Sequence, residues 1–125
     1  MNLSVDILSV PVADQEQAKA FYVGVLGFVV REDAPFGEGR RWLELVPPAG
    51  GTSITLVTWV DDMPAGSLRG TVLGTDDCHK TYAELSSRGV EFSDDVQDAS
   101  WGHYATFTDP DGNGWVLVGP VESDE

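Results

Sequence analysis

The sequence predicts an α+β protein made of two copies of one strand–helix–strand–strand–strand module. Three observations carry this expectation. Asp14 and Asp77 stand as helix caps at matching places in the two halves, each followed by an apolar helical face and a closing glycine, Gly27 and Gly89. Beta-rich runs flank both helices in the same order. Near the end, Asp109-Pro110-Asp111-Gly112-Asn113-Gly114 separates two strand-like runs, Tyr104–Thr108 and Trp115–Gly119. Proline presets a turn dihedral, Asp and Asn bond their own backbone, and glycine tolerates positive φ, so this stretch reads as a tight hairpin.

The first strand is expected in Leu3–Val12. Asp14 with Gln17 makes a capping-box pattern, and Ala18, Phe21, Tyr22, Val25 and Leu26 then recur at helical spacing. Further strands are expected at Phe28–Asp33, Arg41–Val46 and Ser53–Val60. The segment around Ile54–Trp59 is apolar enough to be buried on both faces. Asp61–Arg69, with Pro64 and Gly66, has turn composition and reads as a linker between modules at about 3–60 and 70–120 of a single domain. The second module begins with a strand at Gly70–Thr75 and a helix after Asp76-Asp77 bearing Cys78, Tyr82 and Leu85 on one face. Strand character resumes over Val90–Val96, Asp98–Gly102 is a loop, and the hairpin follows. The nearly uncharged Trp115–Gly119 belongs in mid-sheet. The tail Val121–Glu125 is expected to fray.

Composition narrows function mainly by exclusion. With 42% hydrophobic residues in 125, the chain can fill a core. No apolar run approaches a membrane span and no secretory signal opens the chain, so a cytoplasmic protein is expected. Acidic residues number 21 against 7 basic ones, a formal net charge of −14. That disfavours nucleic acid as partner and suits a cationic small molecule, although a merely soluble acidic surface explains it as well. One cysteine, Cys78, excludes a disulfide framework and reads as a small buried hydrophobe. No nucleotide fingerprint, phosphate loop or Ser-His-Asp order is present.

Val12-Ala13-Asp14, Ala20-Phe21-Tyr22, Leu26-Gly27-Phe28 and Asp109-Pro110-Asp111-Gly112-Asn113, in this order and within a duplicated frame, resemble the vicinal oxygen chelate superfamily. This is the glyoxalase, bleomycin-resistance and extradiol dioxygenase group, and the likeness spans Leu3 to Pro120. It implies paired βαβββ modules forming a curled, cup-shaped mixed sheet, often completed by a second subunit. Enzymes of the group hold a divalent metal in the cup through His and Glu. The positions implied here are Ile7, Thr55, Gly70 and Val116, none of which is His, Glu or Asp. No metal and no cofactor are therefore expected.

Within such a cup the candidate ligand-binding residues are Trp59, Trp101 and His103, with Trp42, Phe36 and Tyr104. Trp59 and Trp101 border loops at the rim, where indoles stack on planar or cationic ligands. Phe36 in its glycine-flanked loop is a further wall. His103, just ahead of a cup-lining strand, is either a carbonyl-bonding strand-entry residue or a polar ligand contact or base. His79 reads as a solvated helix-start histidine, Trp115 as core, and Glu44 as outward-facing or else a buried acceptor for a ligand cation. The expected function is metal-free binding of a small cationic or aromatic molecule, such as an antibiotic or metabolite, by a homodimer. The alternatives are a metal-dependent lyase or dioxygenase, and a metal-independent enzyme using His103.

Overall fold

The computed structural model describes residues 1–121. Strands β1 (Ile7–Pro11), β2 (Val29–Phe36), β3 (Arg40–Val46) and β4 (Ser53–Val57) form one sheet in the order β1-β4-β3-β2. Strands β5 (Thr71–Gly74), β6 (Gln97–Ala99), β7 (Gly102–Thr108) and β8 (Gly114–Gly119) form the second, in the equivalent order β5-β8-β7-β6. In each sheet the first strand runs parallel to the last and the other pairings are antiparallel. The duplication read from the sequence is thus the architecture. β4 and β8 both run in mid-sheet, and every residue of β4 is buried.

The two helices follow from their caps. The Asp14 carboxylate accepts from the Gln17 amide at 3.1 Å, and Asp77 does the same for Lys80 at 3.0 Å. Beyond that they differ. Helix α2 (Cys78–Ser87) is regular, whereas α1 (Gln15–Lys19) widens into a π-helical segment, Ala20–Val25. The first module has one residue more between cap and closing glycine than the second, and the wide turn takes up this residue. Leu26 N–H donates to the Phe21 carbonyl, and the chain leaves through Gly27 at φ 80°.

Strand bounds shift where turn chemistry intervenes. β2 runs on to Phe36 through Pro35, which sits on a sheet edge where a missing amide is tolerated. The strand expected at Val90–Val96 is reduced to a single bridge, Phe92 to Phe107, and β6 forms instead at Gln97–Ala99, where a loop was expected. Adjacent Asp94 and Asp95 lie in bends between the two, with Asp95 accepting from the Tyr82 hydroxyl. The tail beyond Val121 lies outside the described residues.

One core joins the modules. Val10, Tyr22, Phe28, Leu43, Leu45, Ile54 and Leu56 from the first pack with Leu85, Val90, Phe107 and Trp115 from the second. At its centre is the Asp109–Gly114 turn, which does more than link β7 to β8. Asp109, 4% exposed, accepts from the Tyr22 hydroxyl at 2.7 Å, from Asn113 Nδ2 at 2.7 Å and from the amides of Asp111 and Asn113. Asn113 Nδ2 also donates to the Pro11 carbonyl at 2.8 Å, and Asn113 Oδ1 accepts from the Leu68 amide. Trp115 Nε1 donates to the Tyr22 hydroxyl. Burial, and next the neighbouring Asp109 carboxylate, push the Tyr22 phenol well above its ordinary range, so it stays a neutral donor. The linker is equally tied: the Arg69 guanidinium bonds the carbonyls of Gly66, Leu68 and Gly112.

On the helix side of the first sheet, Arg41 grips Asp33 through Nε and Nη2, both at 2.8 Å, and reaches Glu16 of α1 at 2.7 Å. The Arg41 hydrogen bonds lower the Asp33 carboxyl from 3.8 to about 2. Because the folded value is depressed, this contribution is complete above pH 4 or so and is lost as pH falls toward 2. Asp33→Asn is expected to flatten the acid limb of stability over that window, by no more than ~1 kcal/mol for so accessible a pair. Urea melts from pH 5 to 2 measure it, and identical limbs for the two proteins would contradict it.

Candidate functional site

Alternation along the strands gives each sheet two unlike faces. In the first sheet Leu43, Leu45, Ile54 and Leu56 face the core, so Trp42, Glu44, Ser53 and Thr55 face the other way. In the second, Phe107 and Trp115 face the core, so Tyr104, Thr106, Val116 and Val118 face away from it.

The sequence-predicted site residues fall into three groups. Phe36, Trp42 and Trp59 gather on the first sheet, with Phe36 5.7 Å from Trp42 and 5.6 Å from Trp59 between ring centroids. The Arg40 guanidinium lies over Trp59 at 5.8 Å. Trp101 and Tyr104 form the second group, stacked at 5.5 Å with their planes 10° apart, and Trp101 is 61% exposed. His103 belongs to neither. It precedes Tyr104 on β7 and so points to the opposite face, where its Nδ1 meets Asp98 and its ring meets His79. The single-cavity grouping of Trp59, Trp101 and His103 is corrected on this point: strand alternation sends His103 to the helix side of the sheet.

Glu44 takes the buried one of the two settings left open for it. It is only 7% exposed, takes a hydrogen bond from Trp42 Nε1 at 3.2 Å and lies 3.6 Å from the Arg31 guanidinium. The signal was present in Arg41–Val46, where Glu44 alternates with Leu43 and Leu45 but shares its face with Trp42. Arg31 borders a recess of about 560 Å³ with Ser4, Asp6, Ile7, Glu44 and Thr52. An aromatic wall beside a sheltered carboxylate and a guanidinium can stack a planar ring and take up its polar substituents.

Two clefts lie apart from these side chains, along β5 and the Pro47–Gly50 turn. One, of about 710 Å³, is lined by Leu26, Phe28, Pro48, Leu73, Leu85 and Leu117. The other, of about 290 Å³, adds Val5, Leu8, Ile54 and Val72. Both are largely hydrocarbon, and they contain none of the predicted ligand residues.

The cup positions that would carry a divalent metal do not fit one. Ile7 and Val116 offer hydrocarbon, Gly70 offers no side chain, and the Thr55 hydroxyl is buried beside Ser9 Oγ at 3.4 Å. A neutral hydroxyl without imidazole or carboxylate partners at the other three positions is not a donor set for zinc, iron or manganese. Cys78 is 1% exposed, and burial together with Asp77 and Asp98 raises its thiol, so it is no nucleophile.

A family model described as the Glyoxalase/Bleomycin resistance protein/Dioxygenase superfamily matches residues 4–117. The crystal structure of TnmS3, an antibiotic binding protein from Streptomyces sp. CB03234, is 47% identical with a TM-score of 0.89. The match covers 96% of this chain and 98% of that one. A superfamily member from Sphaerobacter thermophilus DSM 20745 is 34% identical with a TM-score of 0.87, covering 94% and 98%. The uncharacterized protein YetH of Bacillus subtilis (strain 168) is 34% identical over 113 residues, 88% of this chain and 92% of its own. Neighbouring structures thus share both the chain's length and its paired-module plan, and the chain belongs to the Glyoxalase/Bleomycin resistance protein/Dioxygenase superfamily.

Proposed function

We propose that this protein binds a small planar organic molecule, an antibiotic or a related metabolite, and sequesters it without transforming it. The observation that carries the reading is the pair of aromatic groups on the coreless sheet faces, Phe36-Trp42-Trp59 and Trp101-Tyr104, with Glu44 sheltered beside the first. Similarity to an antibiotic-binding protein supports it. So does the absence of metal donors at residues 7, 55, 70 and 116. A stacked ring is worth ~0.5–2 kcal/mol per aromatic partner, and Glu44 favours a ligand with a cationic or hydrogen-bond-donating substituent.

Titration of tryptophan fluorescence with a panel of polycyclic aromatic antibiotics tests this. Binding should quench the indoles, and Trp59→Ala or Trp101→Ala should each weaken it by ~1 kcal/mol or more with the fold intact. A panel with no saturable quenching, or full affinity in both variants, rejects the reading.

The cup is proposed to be closed by a second copy of the chain. β1 and β5 are each an edge of their sheet in the single chain, and apolar side chains crowd them. Val5 at 71% and Val72 at 58% exposure line the smaller apolar cleft, and Ile7 on β1 is 41% exposed. A second copy would cover this hydrocarbon and bring the first sheet of one chain against the second sheet of the other. Sedimentation equilibrium at micromolar concentration is expected to return the dimer mass, and a monomer mass throughout that range rejects it.

A further inference from the structure

On the helix side of the second sheet, three side chains from three elements converge. His79 comes from the first turn of α2, Asp98 from β6 and His103 from β7. His79 Nε2 and His103 Nδ1 lie 2.9 and 2.5 Å from the same oxygen, Asp98 Oδ1. All three ligand atoms fall within 4.8 Å of one another, and the imidazole centroids are 5.0 Å apart. We propose that His79, Asp98 and His103 bind one divalent transition-metal ion of the zinc, nickel or copper class.

The donor set suits that class, since two imidazoles and a carboxylate are the mixed nitrogen–oxygen ligands such borderline ions take. At metal–ligand distances of about 2.0–2.2 Å, ligand atoms in a tetrahedral shell sit ~3.3 Å apart. The two imidazole–carboxylate spacings of 2.9 and 2.5 Å are a little short of that and no pair of ligand atoms exceeds 4.8 Å, so modest side-chain rotation can admit an ion. The backbone under the ligands is held: Asp98 and His103 are direct cross-strand partners, and the Asp77 cap fixes the start of α2. Side-chain exposures of 49% for His79 and 63% for Asp98 leave an entry path and a fourth position open to water.

Two features oppose the cation, and neither prevails. The helix N-terminus repels positive charge, but the Asp77 carboxylate at the cap and the Asp98 carboxylate against His79 set a negative field there. His103 Nε2 is buried with no hydrogen-bond partner among the described residues. It lacks that partner whether Nδ1 faces Asp98 or a metal, so its penalty falls on both states and largely cancels. The overall charge of −14 further enriches cations at the surface. This site lies across the sheet from Tyr104 and Trp101, so it is independent of the aromatic cup.

Isothermal titration of the whole protein with zinc alone tests the assignment. One ion per chain is expected, with His79→Ala and Asp98→Asn each weakening binding at least ~10-fold while circular dichroism stays unchanged. The chain has only two histidines, so both imidazole signals should shift together in an NMR titration. No saturable binding below about 1 mM, or equal affinity in the parent and both variants, overturns the proposal. Zinc held as tightly by His79→Ala as by the parent would point to a different site and overturn it too.

Discussion

Asn113→Leu is expected to lose ~3 kcal/mol or more of folding stability, the largest effect of any single side chain outside the hydrocarbon core. Asn113 is fully buried and makes bonds in three directions: to Asp109, to the Pro11 carbonyl and to the Leu68 amide. Leucine is close in size, so it leaves no cavity. It does strand the part-buried Leu68 amide, leave the Pro11 carbonyl with the Gly66 amide as its remaining donor, and uncover one side of a buried carboxylate. Each orphaned group costs about 1–3 kcal/mol, more where charge is involved. For a chain of this length that is a large share of the usual 5–15 kcal/mol. Chemical denaturation reads it directly. Tyr22→Phe removes one donor to Asp109 and the acceptor for Trp115 Nε1, and should cost less, ~1–2 kcal/mol. If Asn113→Leu unfolds at the parental midpoint, the turn is not the lock between the modules.

The second large effect belongs to Gly66. Its φ is 81°, and a Cβ there would stand 2.0 Å from the Asp111 carbonyl oxygen. Gly66→Ala therefore incurs both the left-handed penalty of about 1–2 kcal/mol and a backbone collision that pushes the linker off the turn. Gly51→Ala separates the two contributions. Gly51 has φ 92° but open space around it, so its alanine carries only the conformational part. Gly66→Ala should fall below Gly51→Ala by ~1 kcal/mol or more in parallel urea melts. Equal losses would mean the linker yields without resistance.

Much of the fold was legible because its signals are local. Two Asp caps, two helical stripes and two closing glycines specify paired modules, and Asp-Pro-Asp-Gly specifies the last turn. The π-helical segment was present as a count, the extra residue before Gly27, but a count does not say where the backbone widens. β6 was missed because Gln97-Asp98-Ala99 has poor strand propensity and is held by its neighbour β7 rather than by its own residues. At the candidate site, the aromatic walls were readable as types. Their grouping was not, because a one-residue step on a strand decides the face. That step separated His103 from Tyr104. Glu44 was left between two settings for a related reason: its neighbours Leu43 and Leu45 are core, and the shelter on its own side comes from Trp42 and from the adjoining strand β4.

The turn-to-helix lock also bears on how the chain comes together in time. Tyr22 meets Asp109 across 87 positions, Ala13 meets Asp111 across 98, and Pro11 meets Asn113 across 102. Contacts so remote require the whole intervening loop to be ordered before they repay its closure entropy, and they form late. During synthesis the first module emerges with its Tyr22 hydroxyl and Pro11 carbonyl still facing water. Gly66 can reach the Pro11 carbonyl once the linker is out, but the Tyr22 hydroxyl gains its partners only when Asp109 and Trp115 have cleared the ribosome. A nascent chain halted before the final hairpin thus presents half a core, and it is in that interval that chaperones or a neighbouring nascent copy have access to it.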